Sequence, residues 1–311
     1  MSEFKYEASL YVPFRDKDVL DRIRNIKRED IDKHPNPEFK INVVPDDEVV
    51  LRTTVETFKR IKEAMEAGRR YVMIMPNPNP GYKKLAHMLN TFNVDCSTLY
   101  TFNMDEYADQ DGNVAPETWK NSFMYSFKKY FYNELREDLR PKEEQIQGPT
   151  TENIDFYGKM IADMGGADYC HSGPGWTGHL AFIEPDAPEF KAATLEEWKK
   201  MSSRIVTLSP FTLAQNSLHG FFGKSGDIAA VPPKAATIGP AEVIAAKYRI
   251  DVHALCVHGT ATSWQRLITR LVLHGPVTPL VPESILQTLA TTVYVSETAA
   301  QNIEYDGNKG Y

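Results

Sequence analysis

What most limits how this chain can fold is an alternation. Short apolar runs of strand length trade places with stretches whose apolar residues recur at helical spacing. "YVMIMP" leads into "GYKKLAHMLNTF", and "STLYTFNMDEY" precedes the aromatic, amphipathic "TWKNSFMYSFKKYFYNEL". "NIDFYGKMIADMGGA" is followed by "DYCHSGPGW", and "IDVHALCVHG" by "SWQRLITRLVLHG". "AATIGPAEVIAAK" reads as strand, turn and helix start, and "TTVYVSETAAQNI" as a last strand. Upstream, Val55, Phe58, Ile61 and Met65 share one helical face. Repeats of this kind predict right-handed βαβ crossovers. The expected fold class is α/β: a doubly wound, largely parallel sheet with helices on both faces, a Rossmann-like three-layer arrangement. Ligands bind such sheets beyond the carboxyl ends of the strands. Polar clusters at 77–81, 103–107, 171–179 and 258–263 each follow a predicted strand and should converge on one crevice.

The 311 residues, 42% hydrophobic and 25% charged, suffice for one large α/β domain. Residues 1–48 read as an N-terminal extension with a short helix near Asp16–Lys27, and 49–311 as a single domain. The aromatic residues Phe4, Tyr6, Tyr11 and Phe14 predict that the extension lies outside the sheet and covers part of it or an oligomer contact. A homo-oligomer is left open. The net charge of −7, with both signs interspersed, argues against a nucleic-acid surface. No apolar run is long enough to span a bilayer, and the start of the chain lacks a signal-peptide pattern. Cys96, Cys170 and Cys256 fall in no CxxC spacing and read as reduced thiols. The expectation is a cytoplasmic protein with a small-molecule ligand and neither nucleic-acid nor membrane partners.

Several residues could carry chemistry. Asp105 and Glu106 sit just past an apolar run, where a carboxylate could act as general base or cap the next helix. His179 precedes Glu184 by five residues, as a base and its orienting carboxylate could, or as a histidine satisfied by local backbone. Arg204 could grip an anion bidentately or form a surface pair. Gly173 and Gly175 would let backbone amides approach a ligand, but their spacing does not fit the dinucleotide fingerprint. His171, His179 and His258 could meet at one sheet edge. No HxH or HExxH spacing supports a metal there, so none is expected.

The segments "TFNMDEY", "PETWKNSFMYSFKKYF", "GPGWTGHLAFIEP", "SSRIV", "ATIGPAEVIAAK" and "VHGTATSW", in that order, resemble the glucosamine-6-phosphate deaminase (isomerase) family over nearly the whole chain. The related 6-phosphogluconolactonases share the Gly-His loop but lack the "AF-x-EP" ending. The resemblance implies conversion of an amino-sugar phosphate to a keto-sugar phosphate with loss of ammonia, without metal or organic cofactor. It implies that Asp105 moves a proton between carbons 2 and 1, that His179 opens the sugar ring, and that Glu184 orients His179. It makes Arg204 a phosphate ligand. Departures accompany the match. Thr177 stands where the family has a catalytic aspartate, and "MPNPNPGYKK" replaces a Gly/Ser/Thr-rich phosphate cradle. Thr262 replaces the family's phosphate-binding lysine. Prolines cannot donate an N–H, and Asn77 and Asn79 suit neutral hydroxyls better than a dianion. Lys83 and Lys84 fall in the following helix, on a solvated face. The expected substrate-binding set is Asn77, Asn79, Gly173, Gly175, Thr177, Arg204 and Thr262, around a sugar or sugar phosphate that is altered and not necessarily phosphorylated. Two other readings stay open: a non-catalytic sugar-binding or regulatory descendant, and a lactonase-like or metal-assisted hydrolase.

Overall fold

The computed structural model describes residues 6–185, 187–254 and 264–305. Among the described residues, ten strands run in chain order as β1 (Phe39–Val44), β2 (Tyr71–Met75), β3 (Leu99–Asn103), β4 (Asp105–Ala108), β5 (Ile146–Gln147), β6 (Tyr169–Ser172), β7 (Arg204–Thr207), β8 (Lys234–Thr237), β9 (Tyr248–His253) and β10 (Thr291–Ser296). The helices are α1 (Lys17–Arg24), α2 (Val49–Glu66), α3 (Tyr82–Thr91), α4 (Phe123–Tyr130), α5 (Tyr157–Asp163), α6 (Leu195–Trp198), α7 (Pro210–Ser217), α8 (Pro240–Ala245), α9 (Gln265–His274) and α10 (Glu297–Ala300). None of the described helices is long and apolar enough to cross a membrane.

Seven strands form one sheet in the order β1-β10-β9-β6-β2-β3-β5, every pair parallel. Strand β2 is buried throughout, and its residues alternate between two cores. Tyr71, Met73 and Met75 pack with Phe58 and Ile61 of α2, Leu89 of α3 and Phe127 of α4. Val72 and Ile74 join the core that holds Ile23 of α1, Ile161 of α5 and Leu271 of α9. Helices thus cover both faces, as the alternation predicts. From β2 the chain moves outward through β3 to β5, returns to β6 on the other side of β2, and proceeds to β9 and β10. The direction of winding therefore reverses between β2 and β6. In sheets of this kind, loops leaving the carboxyl ends of the two strands at such a reversal diverge, and ligands bind between them.

Residues 1–48 do not all lie outside the sheet, contrary to expectation. Phe39–Val44 pairs along its length with β10, from Phe39↔Thr291 to Val44↔Ser296. The pattern of "FKINVV" is a strand signature: Phe39 is buried and Lys40 and Asn42 are exposed, as suits an edge. Its lysine and asparagine made it read as part of a charged arm. The preceding helix is where the sequence places it. The Asp16 side chain caps it by accepting from the Val19 N–H at 3.1 Å, and Leu20 and Ile23 are buried. Arg22 then binds the His274 carbonyl at the end of α9.

The second departure is a small antiparallel sheet, β4-β8-β7. "DEYA", "RIVT" and "KAAT" all belong to it, so "AATIG" is not a strand of the parallel sheet. Only Met104 separates β3 from β4. Its N–H donates to the Met75 carbonyl at 2.9 Å, and its own carbonyl accepts from Ile238 N–H at 3.0 Å. One residue thereby ties the small sheet to the carboxyl edge of the large one.

Candidate active site

The junction at Met104 places two acidic residues at the start of β4, both buried. They differ in their partners. The Glu106 carboxylate accepts from the N–H groups of Tyr107, Phe123 and Met124, at 3.0, 2.9 and 2.9 Å, and from the Ser122 hydroxyl at 2.8 Å. Three of those donors belong to Ser122 and the first turn of α4, so Glu106 anchors that helix terminus. Burial still pushes its carboxyl up to about 7, against the opposing pull of those bonds. Asp105 has no hydrogen-bond partner for its carboxylate among the described residues. Burial, then the neighbouring Glu106 charge, raise its pKa well above the ordinary carboxylate range. A desolvated carboxylate at a strand end, with lone pairs uncommitted, is equipped to take a proton from carbon.

The loop after β6 carries His179 and Glu184, also buried. His179 Nδ1 lies 3.5 Å from Glu184 Oε2, 3.1 Å from the Thr212 hydroxyl and 3.4 Å from the Thr177 hydroxyl. Burial alone would raise the Glu184 carboxyl. The nearby His179 ring, then the Thr212 hydroxyl and the Ser209 N–H, outweigh that and hold it below its usual value. An acceptor on the Nδ1 side favours the tautomer with the proton there, which leaves Nε2 as the basic atom. The glycines make room for the ring. A Cβ built on Gly175 would come within 1.9 Å of His179 Nε2, so any side chain at 175 would displace the ring or cap its basic nitrogen. Gly178 has φ +80, and a Cβ there would meet Val281 at 2.9 Å. The loop is glycine-rich because the histidine ring and the neighbouring chain fill the space that side chains would take.

Thr212 and Ser209 were not singled out in the sequence. They lie at the start of α7, where the Ser209 side chain accepts from Thr212 N–H and Pro210 opens the first turn. The string "SPFT" carries that helix-start signal, and with it the hydroxyl that braces His179. His219, just past α7, is half-buried, and desolvation followed by the proximity of His179 lower its pKa.

The other candidates have more local surroundings. Asn77 Nδ2 donates to Asn103 Oδ1 at 3.0 Å, which leaves Asn77 Oδ1 and Asn103 Nδ2 buried and unpartnered. Asn79 Oδ1 accepts from Gly81 N–H at 3.0 Å in a local turn. A Cβ on Gly173 would meet the Val252 carbonyl at 2.7 Å. Arg204 pairs across the small sheet with Thr237, which pairs in turn with Asp105. The Arg204 guanidinium donates to the carbonyls of Ser202 and Glu189 and lies 4.6 Å over the Phe190 ring. The Thr237 hydroxyl accepts from Phe182 N–H at 3.1 Å, which connects this row to the loop holding His179 and Glu184. Lys83 pairs with Glu134 at 2.8 Å. Thr262 and His258 lie outside the described residues. His171 is buried in β6, where burial lowers its pKa to about 4. Among the described residues no three His, Cys, Asp or Glu side chains are grouped so as to hold a metal ion.

No protein-family profile matches the chain. Individual proteins do. It is 30% identical over 224 residues to a glucosamine-6-phosphate deaminase of Phocaeicola vulgatus, spanning 70% of this chain and 74% of that protein. It is 31% identical over 211 residues to one from Halothermothrix orenii, spanning 67% and 76%. To the Caenorhabditis elegans glucosamine-6-phosphate deaminase it is 32% identical, over 60% of this chain and 65% of the relative. Among solved structures, a monomeric glucosamine-6-phosphate deaminase superposes with a TM-score of 0.68 at 21% identity, covering 84% of this chain and 99% of that one. A 6-phosphogluconolactonase from Leishmania guyanensis shares the fold, with a TM-score of 0.59 at 12% identity and coverage of 86% and 99%. These three sequence relatives share one name, and the chain belongs to the glucosamine-6-phosphate deaminase family.

Proposed function

We propose that this chain converts an amino sugar to a keto sugar with release of ammonia, and that its preferred substrate carries a hydroxyl or a carboxylate where the family's substrate carries phosphate. The observation that carries the reaction is the Asp105 carboxylate, buried and without a hydrogen-bond partner among the described residues, beside a Glu106 whose bonds are filled. His179, with Nδ1 held toward Glu184 and Thr212, passes a proton to the ring oxygen as the hemiacetal opens. Asp105 takes the proton from carbon 2 and returns it to carbon 1. The aldose thereby becomes a ketose imine, and water hydrolyses the imine to the ketone and ammonia. Thr177 contributes a neutral hydroxyl to the His179 side of the site. A histidine with an orienting carboxylate and a separate carboxylate base are sufficient for these proton transfers.

The substrate reading rests on charge. A buried phosphate dianion needs several charge-assisted donors. Arg204 directs donors to two backbone carbonyls, and Lys83 is held by Glu134. The unpartnered amide atoms of Asn77 and Asn103 offer one acceptor and one donor, which match a sugar hydroxyl. Arg204 keeps enough of its fork to meet a carboxylate edge. The unpaired thiols of Cys96 and Cys170, both buried, fit the reducing environment of the cytoplasm.

Ammonia release is the test, measured with glucosamine 6-phosphate, glucosamine and an amino-sugar acid. The expected result is a higher kcat/KM for a non-phosphorylated sugar. Micromolar KM and brisk turnover with the phosphate, abolished by Arg204→Ala, would overturn the substrate assignment. No ammonia from any amino sugar would overturn the reaction.

A further inference from the structure

Trp176 is unusual for its place. It lies between Gly175, which abuts the His179 ring, and Thr177, whose hydroxyl is 3.4 Å from His179 Nδ1. Yet it is 42% exposed. Its N–H donates to Gln215 Oε1 of α7 at 2.7 Å, which pins the loop beneath it. A second indole stands beside it. Trp264 immediately precedes α9, and the next residue, Gln265, donates from Nε2 to the Pro174 carbonyl at 2.8 Å. The two rings have centroids 6.0 Å apart and planes tilted by 35°. Two separate elements, the glycine loop and the start of α9, therefore hold the pair in place.

That spacing limits what the pair can bind. A flat group inserted between two rings needs van der Waals contact of about 3.5 Å on each side, or roughly 7 Å in all. At 6.0 Å the indoles contact each other and cannot enclose a third ring. They form an open ledge. Such a surface suits a ligand with one apolar face and a polar rim, because indole stacks on the face and leaves the rim in water. A pyranose, with C–H groups on its faces and hydroxyls around its edge, has that character. The ledge itself carries no charge.

We propose that Trp176 and Trp264 form a subsite for a second sugar ring, so that the substrate is a short, uncharged or amino-bearing oligosaccharide whose reducing end enters the crevice. This rests on the reaction proposed above, and the chemistry fixes the direction. Ring opening and isomerisation need a free carbon 1 next to His179 and Asp105. Any further ring must be linked through the opposite side of the reacting sugar, where it points out of the crevice toward the rim. With the reacting sugar turned so that this side meets the ledge, the indoles would give binding energy that a phosphate would otherwise supply, without a cation.

The test separates binding from turnover. Glucosamine and its 1,4-linked disaccharide, each reduced at carbon 1 so that it cannot isomerise, are titrated calorimetrically into the full chain. Intrinsic tryptophan emission is followed in parallel. The disaccharide should bind about tenfold more tightly or better, with a change in emission that glucosamine does not cause. Trp176→Ala and Trp264→Ala should each weaken the disaccharide by about fivefold or more. Trp176→Phe, which keeps a ring, should retain most of the affinity, whereas Trp176→Leu, which keeps bulk without a stacking face, should not. That last comparison holds even if an alanine variant folds poorly. Equal affinity for the two sugars, or Phe and Leu variants within twofold of each other, would overturn the subsite. Tight disaccharide binding with no ammonia from any amino sugar would defeat the reaction and leave the ledge standing. Ammonia from glucosamine without preference for the longer sugar would do the reverse.

Discussion

His179 and Glu184 lie in the loop that follows β6, and His253 and Asp251 lie inside β9, the next strand of the sheet. Both pairs are buried. In the first, Nδ1 faces Glu184 and two threonine hydroxyls, and Nε2 lies against Gly175 with no hydrogen-bond partner among the described residues. In the second, both ring nitrogens are occupied: Nε2 by Asp251 at 2.8 Å and Nδ1 by Thr269 at 2.9 Å. Asp251 also accepts from the Ser172 hydroxyl at 3.2 Å. Glu283 lies against it and beside Ser172, and neither of its buried carboxyl oxygens has a well-formed hydrogen bond among the described residues. Burial, then the Asp251 charge, raise the Glu283 pKa well above the carboxylate range. In its protonated form Glu283 can donate to Asp251. Burial opposes the Asp251 charge as well, but His253 outweighs it and keeps that carboxyl low. The same residue types thus give a group with a spare nitrogen in a loop and a sealed network in a strand. What separates them is whether every donor and acceptor is already spent.

The largest effects belong to the open region. Asp105→Asn keeps shape and removes the base, so kcat for ammonia release should fall by about 10²–10⁴-fold. The melting temperature should not drop, because the lost charge had no partner. His179→Asn should act in the same direction. A variant of Asp105 that keeps more than a tenth of the activity would break the distinction between open and sealed groups.

The sealed network should answer with stability. Asp251→Asn strands His253 and leaves Glu283 without its charged acceptor. Breaking a buried pair of this kind costs about 3–5 kcal/mol, measurable by denaturant unfolding. Activity per folded molecule should be little changed. Large loss of turnover in fully folded protein would mean that this network belongs to the catalytic machinery after all. Gly175→Ala lies between these cases. Its methyl group collides with His179 Nε2, and a displacement of about 1 Å can cost on the order of 10²-fold in rate. Unaltered kcat in that variant would show that Nε2 is not the working atom.

How much of this could be read beforehand depended on where each signal lay. The βαβ alternation is local and periodic, so the parallel sheet and the helices α1, α2 and α3 were legible. The "GHLAFIEP" string put His179 and Glu184 five residues apart, and one loop suffices to join them. The small sheet was hidden because its strands, of four residues each, are too short to show periodicity. Their partners are about 30 to 130 residues apart in the chain, from Arg204↔Thr237 to Asp105↔Thr237. For the same reason the sequence offered Arg204 as an anion ligand or a surface pair and could not show its contacts with the Glu189 carbonyl and the Phe190 ring. Thr212 escaped notice because a helix-start signal says nothing about what the cap residues face across space. The Asp251–Glu283 contact could not be foreseen at all. Two acids are brought together only because β9 and the turn Pro282–Thr288 pack on each other.

The smallest effect probes that contact through pH. A group whose folded pKa is raised binds its proton more tightly in the folded state. It therefore contributes stability that is complete below its unfolded pKa and is lost as pH rises through the folded one. Glu283 and Asp105 are of this kind, as is Glu106, whose window closes at about 7. Glu184 and Asp251 have the opposite sign, and their contribution is lost as pH falls below the ordinary carboxylate range. Wild-type stability should accordingly decline as pH climbs above the ordinary carboxylate range, by about 1.4 kcal/mol for each unit by which a folded pKa exceeds its unfolded value. Glu283→Gln keeps the shape and an N–H to donate to Asp251 but cannot ionise. Denaturant unfolding of both proteins across that range should show a shallower decline in the variant, with the two curves closest at the acid end and separating as pH rises. Parallel curves would mean that Glu283 is ionised throughout, and that the network in β9 is held by His253 rather than by a shared proton. The sealed pair would then be as open to solvent protons as the one beside the crevice.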